Sequence, residues 1–326
     1  MNFDIIRTGR AVLHVTDIEK SKKFYDALGF IITETDDNQI FLRGLEEHNH
    51  HSLLLKQRET PALEVISYRV KSEEDLEQLA TKLQKDGNEI KWLQEGEQKG
   101  LGRAFRYQDI SGLPVEFYHH MDRVDRKLQQ YDLYKGAKVQ RIDHFNCMVS
   151  DVEKAHNYYI NEFGFACSEY TTGEEDKIWA SWLHRKPSVH DVAYMNGPGP
   201  RLHHIGFWLK DPMSLIDGCD VLASIGYAPN IERGPGRHGL SNAFFLYLRD
   251  PDGHRIELYN GDYFTGDPDF EPIRWELDDP LRQTFWGHEA PDCWFEEATE
   301  VLNVLTNEKV QTQAAKLKKR KPTFVI

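Results

Sequence analysis

The stretch Arg141–Phe165, "RIDHFNCMVSDVEKAHNYYINEFGF", decides the fold because the chain contains it twice. Its echo, "RTGRAVLHVTDIEKSKKFYDALGF", opens at Arg7. Each copy reads as a strand, a turn and an amphipathic helix. Asp17 matches Asp151, and each helix ends at a glycine, Gly29 or Gly164, the residue that adopts a left-handed C-cap at least cost. Repetition on this scale governs the architecture, and it continues along the chain. "LEVISYRVK" from Leu63 aligns with "LHHIGFWLK" from Leu202, and each leads into a second helix. "YQDISGLPVEFY" from Tyr107 aligns with "LRDPDGHRIELY" from Leu248, with turn residues between two strands.

The order strand, helix, strands therefore occurs twice within each of two copies. The expectation is an α+β protein of two tandem domains, residues 1–122 and 138–262. The polar segment 123–137 links them, and 263–326 forms a C-terminal extension and tail. Within that extension, Tyr263 to Pro291 reads as an ordered cover, "CWFEEATEVLNVL" as a helix, and the last residues as disordered or oligomer-contacting.

Composition removes several classes of function. A formal charge of -13 argues against a nucleic-acid or anionic-membrane surface, since phosphate binding needs clustered Lys and Arg. The one basic cluster, "KLKKRK" at Lys316–Lys321, is terminal. No apolar run approaches the roughly 20 residues that span a bilayer, and "MNFDIIRTGR" lacks a signal-peptide pattern. A cytoplasmic address is expected. Cys147, Cys167, Cys219 and Cys293 show no C-x-x-C spacing and read as reduced thiols.

The repeat also supplies an internal control. It sets His144 against Arg10, His204 against Val65, and Glu257 against Glu116. A packing role would want similar residues in both halves, yet both histidines are absent from the first. Two His and one carboxylate from different strands form the facial set that binds Fe(II) and leaves coordination positions open. Glu257, between Ile256 and Leu258, needs a cationic partner inside a sheet. His144, His204 and Glu257 are the expected metal ligands, with His203, read as lying on the opposite strand face, as a rival. Fe(II) and Mn(II) both accept this donor set.

The residues "RIDHFN", "LHHIGFWL" and "FFLYLRDPDGHRIELY", and the span from Arg141 to about Glu289, resemble the extradiol ring-cleaving dioxygenases of the vicinal oxygen chelate superfamily, in particular members acting on 3,4-dihydroxyphenylacetate. The resemblance implies paired βαβββ modules, with metal only in the second domain. It also implies a homotetramer and meta cleavage of a catechol by O2. Carried over residue by residue, it implies His190 as acid/base, with Tyr247, Asn146 and His238 beside the reacting oxygens. Trp182 becomes a pocket wall, and Arg233 and Arg282 become partners of a substrate carboxylate. Three alternatives stay open: a plain or differently substituted catechol, a non-oxidative isomerase or transferase, and a metal-free binding protein. The last two fit less well, because Arg10 and Val65 remove first-module ligands and the triad has no other use.

Overall fold

The structure is a computed structural model and describes residues 2–318. The first half runs β1 (Ile5–Val15), α1 (Ile18–Ala27), β2 (Ile31–Asp36), β3 (Gln39–Arg43) and β4 (Leu53–Gln57). It repeats as β5 (Ala62–Val70), α2 (Glu73–Lys85), β6 (Lys91–Leu93), β7 (Ala104–Gln108) and β8 (Pro114–Tyr118). The second half follows the same order with β9 (Arg141–Val149), α3 (Val152–Phe163), β10 (Ala166–Thr172), β11 (Ile178–His184) and β12 (Val192–Asn196). It then continues with β13 (Arg201–Trp208), α4 (Met213–Ser224), β14 (Ile231–Arg237), β15 (Phe244–Arg249) and β16 (Arg255–Asn260). The fold is α+β, built from βαβββ units as the repeat predicts.

Local chemistry explains the repeated start of each half. Asp17 and Asp151 sit at the N-caps of α1 and α3, where their carboxylates accept from the backbone N–H of Lys20 and Lys154. Gly164 closes α3 in the left-handed region at φ 67°. Each half forms one sheet, ordered β2-β3-β4-β1-β5-β8-β7-β6 in the first. The second sheet is β14-β15-β16-β13-β9-β12-β11-β10, extended by β17 (Ile273–Glu276) beside β10. In both, the first strand of one unit pairs antiparallel with the first strand of the other, β1 with β5 and β9 with β13.

Alternation along β9 gives its two faces different tasks. Phe145, Cys147 and Val149 enter a core shared by both halves, together with Leu13, Tyr68, Phe117 and Ile205. The halves also exchange matching hydrogen bonds. Tyr25 of α1 donates to Asp250 at 3.0 Å, and Tyr159 of α3 donates to Asp109 at 3.0 Å. These are equivalent positions of the repeat, so the contact is nearly self-complementary. Thr8 adds its backbone N–H and hydroxyl to the buried carboxylate of Asp191.

The chain beyond β16 crosses the second sheet, with short helices α5 (Pro280–Gln283) and α6 (Cys293–Glu296). The helix expected from Cys293 onward stops after one turn. Thr299–Glu300 form β18 against β13, and Val301 pairs with Leu63 of β5. Burial of Val301, Leu302 and Val304 outweighs local helix propensity there. The end of "KLKKRK" and the expected tail lie partly outside the described residues. No helix among the described residues is long and apolar enough to cross a membrane.

Candidate metal centre

Strand register brings the three expected ligands together. His144 on β9 pairs with Gly206 on β13, and Gly206 pairs with Glu257 on β16, so His144 and Glu257 flank one position from two sides. Gly206 is needed there: a Cβ on it would lie 2.1 Å from His144 Cε1. His204 enters from two residues earlier on β13, where a β-bulge separates Leu202 from His204.

The three ligand atoms form a tight triangle. His144 Nε2 is 2.9 Å from Glu257 Oε2 and 3.3 Å from His204 Nε2, and His204 Nε2 is 3.1 Å from Glu257 Oε2. Bonds of about 2.1 Å at right angles around one cation would separate neighbouring ligand atoms by about 3.0 Å. The donor set therefore fits a metal bound on one face, and among the described residues these three are the group able to hold one. All three side chains are buried. Burial would raise the Glu257 carboxyl, but hydrogen bonds to both imidazoles hold it well below its usual range. Asp143 accepts from His144 Nδ1 at 3.2 Å, which would leave Nε2 bare for a cation taking the place of its hydrogen toward Glu257.

A cavity opens in front of this triangle, lined by Asn146, Trp179, Trp182, His190, His238, Tyr247, Arg282 and Trp294 among others. The His190 ring lies 3.9 Å from that of His144. Burial, then the neighbouring His144, hold His190 well below its usual value, so it is neutral. His238 donates from Nδ1 to the carbonyl of Gln283 and accepts the Tyr247 hydroxyl at Nε2 over 2.9 Å. Burial, then the charge of Arg233, push His238 down to about 3. Being neutral, it can accept the Tyr247 hydroxyl hydrogen at Nε2.

Arg282 lines the cavity, 2% exposed, with its guanidinium over Trp179 and Nη1 donating to Thr171 Oγ1 at 3.3 Å. Arg233 does not line it. Its guanidinium lies between the rings of Phe245 and Trp294 and donates to Thr284 Oγ1 at 2.7 Å. His203 is not a rival ligand and does not sit on an opposite face. The bulge sets it beside His204, Nδ1 to Nδ1 at 2.7 Å. Sequence reasoning missed Gly206, Trp294, Gln283 and Asp143. Only Gly206 carried a readable signal, as the glycine of "HHIGF" where the first copy has Ser67.

The comparisons agree with this geometry. Residues 141–258 match the Glyoxalase/Bleomycin resistance protein/Dioxygenase superfamily. Residues 63–122 match the Catechol 2,3-dioxygenase-like N-terminal domain, and 11–41 the Bleomycin resistance protein-like N-terminal family. A manganese-dependent 2,3-dihydroxybiphenyl 1,2-dioxygenase of Geobacillus genomosp. 3 is 32% identical over 88% of this chain and 95% of its own length. A metapyrocatechase of Geobacillus stearothermophilus is 30% identical over 92% and 95%. The homoprotocatechuate 2,3-dioxygenase of Arthrobacter globiformis superposes with a TM-score of 0.92 at 41% identity, over 95% of this chain and 96% of that one. An extradiol ring-cleaving dioxygenase from B. fuscum gives 0.94 at 39%, over 98% and 89%. With the same repeat, the same sheets and a facial metal triangle in the second half, the chain belongs to the metal-dependent extradiol ring-cleaving dioxygenases of the vicinal oxygen chelate superfamily, which act on catechols and O2.

Proposed function

We propose that the chain cleaves 3,4-dihydroxyphenylacetate beside its hydroxyl pair, inserting both atoms of O2 to give a 2-hydroxymuconate semialdehyde derivative. The observation that carries this substrate is Arg282, a buried cation lining a cavity whose other walls are largely aromatic. A guanidinium there suits a carboxylate on the ring substituent. Homoprotocatechuate 2,3-dioxygenases are also among the solved structures to which the chain is similar, at 39–41% identity.

His144, His204 and Glu257 would hold Fe(II), with Mn(II) as the alternative. When bound there, the metal would supply Lewis-acid and redox chemistry for a catechol and dioxygen. The remaining work falls to the chain. His190 takes a hydroxyl proton and returns it to the oxygen being cleaved. Tyr247, its proton pinned by His238, offers a lone pair to a substrate hydroxyl. Asn146 stands beside the oxygen position, and Trp182 confines the ring. Arg233 donates to the Gln283 carbonyl and the Thr284 hydroxyl and so anchors the segment of the extension that carries Arg282.

The proposed division of labour is a metal-free domain at 1–122, a linker at 123–137, a catalytic domain at 138–262 and an extension at 263–326 that supplies Arg282. We also infer a cytoplasmic homotetramer. Four free cysteines suit a reducing compartment, and exposed Phe264, Leu281, Phe285 and Trp286 in the extension suit assembly.

A second reading, cleavage of plain catechol or 2,3-dihydroxybiphenyl, is favoured by the names of the curated relatives. Oxygen uptake by protein loaded separately with Fe(II) and Mn(II) separates the two. The proposal expects the highest kcat/KM with 3,4-dihydroxyphenylacetate, and a higher value for catechol or dihydroxybiphenyl would replace it.

A further inference from the structure

His203 has no part in the chemistry above, yet it is fully buried beside a metal ligand and touches the extension. The bulge between Leu202 and His204 places its Nδ1 2.7 Å from His204 Nδ1, and its Nε2 lies 2.9 Å from the carbonyl oxygen of Trp294. Hydrogen-bond roles then follow without ambiguity. A carbonyl only accepts, so His203 Nε2 carries a hydrogen. His204 can bind a cation through Nε2 only if that nitrogen is bare, so neutral His204 carries its hydrogen on Nδ1. Two nitrogens 2.7 Å apart need one donor and one acceptor. His204 Nδ1–H therefore donates, and His203 Nδ1 accepts.

The first domain shows that the bulge itself does not demand a histidine. There the register slips between Val12 and Leu13 and skips Glu64, the repeat equivalent of His203. Glu64 instead joins His14 at 2.9 Å, Lys56 at 2.8 Å and Arg106 at 2.8 Å. Trp294 is also held firmly. Its ring packs 4.3 Å from Tyr247 and 4.5 Å from His203, and Arg255 lies over it while donating to the His203 carbonyl at 3.2 Å.

We propose that His203 is a positioning residue that passes the docking of the C-terminal extension, through the Trp294 carbonyl, to the ligating nitrogen of His204, so that the extension completes the metal site. The inference rests on the metal-site reading and deepens it. His144 is oriented from within its own strand by Asp143, so the two histidines are set by separate means and only one depends on the extension.

The test measures Mn(II) affinity of the metal-free, full-length protein by competition with a chelator, for wild type, His203→Asn, His203→Gln and His203→Phe. Asparagine puts an acceptor oxygen near the place of Nδ1; glutamine carries its amide toward the place of Nε2; phenylalanine offers neither. Loss of such an orienting partner weakens metal binding by about 10- to 100-fold. That loss is expected for His203→Gln and His203→Phe, with His203→Asn retaining most of the affinity. By linkage, Mn(II) should slow amide exchange over residues 291–297 in wild type and not in metal-saturated His203→Asn, which keeps the acceptor for His204 but lacks the contact with the Trp294 carbonyl. Equal losses in Asn and Gln, or no loss in either, would overturn the positioning role while leaving the metal site intact. Wild type that binds no Mn(II) would overturn the metal site and this inference with it.

Discussion

Arg10 and Glu116 hold in the first domain the places that His144 and Glu257 hold in the second. Arg10 pairs with Ser67 and Ser67 with Glu116, as His144 pairs with Gly206 and Gly206 with Glu257. Arg10 Nε and Nη2 grip the two carboxylate oxygens of Glu116 at 2.8 Å each, and both side chains are fully buried. A guanidinium thus neutralises the carboxylate that a metal would neutralise in the other half.

Arg10→Ala should therefore leave a buried carboxylate with only Arg106 as cationic partner. The expected cost is about 3 kcal/mol, the low end for breaking a buried pair. Urea unfolding measures it, and metal content should stay at one ion per chain. A stoichiometry near two in wild type would contradict the asymmetry on which the site rests.

Gly206→Ala tests the close approach of strand and ligand. The new Cβ would meet His144 Nε2 at 2.3 Å, so the ring must move off the triangle. Metal affinity should fall by about tenfold or more, with the fold retained. Unchanged affinity would show that the ring is not confined as described.

His190→Asn should keep metal and substrate binding but lower kcat, by about 10²- to 10⁴-fold if proton transfer limits turnover. Single-turnover spectroscopy with excess O2 locates the slowed step. An unchanged kcat would remove His190 from proton transfer.

Arg282→Leu separates substrates. A charge-assisted hydrogen bond contributes about 1.5–3 kcal/mol, so kcat/KM for 3,4-dihydroxyphenylacetate should fall by about one to two powers of ten. The value for 4-methylcatechol, which has no carboxylate, should hardly change. Equal losses would keep ring cleavage and withdraw the arylacetate.

Asp109, buried between the domains, gives a pH dependence whose sign can be worked out. Burial raises its carboxyl from 3.8 to about 6, against hydrogen bonds from Leu113, Ser111 and Tyr159. Between those values the folded chain keeps a proton that the unfolded chain releases, so this group's contribution to stability is lost as pH rises toward 6. Relative to Asp109→Asn, wild type should lose about 2 kcal/mol between pH 4 and 6.5, measured by urea unfolding. A pH-independent difference between the two proteins would refute it.

The sequence by itself determined the repeat, and with it the βαβββ order, since each unit carries its own cap, turn and alternation signals over short distances. It also determined which half could hold a metal, because the comparison of His144, His204 and Glu257 with Arg10, Val65 and Glu116 needs alignment and no coordinates. Tertiary structure alone decided what depends on register and on distant chain segments. A single bulge moved His203 from an expected opposite face to a position beside His204, because one extra residue shifts the alternation that a strand pattern assumes. Burial of Val301 and pairing of Thr299–Glu300 with β13 cut short a helix that local propensity favoured. The separation of Arg282, lining the cavity, from Arg233, behind it, is likewise invisible in sequence, since both are loop arginines until the extension folds across the second sheet.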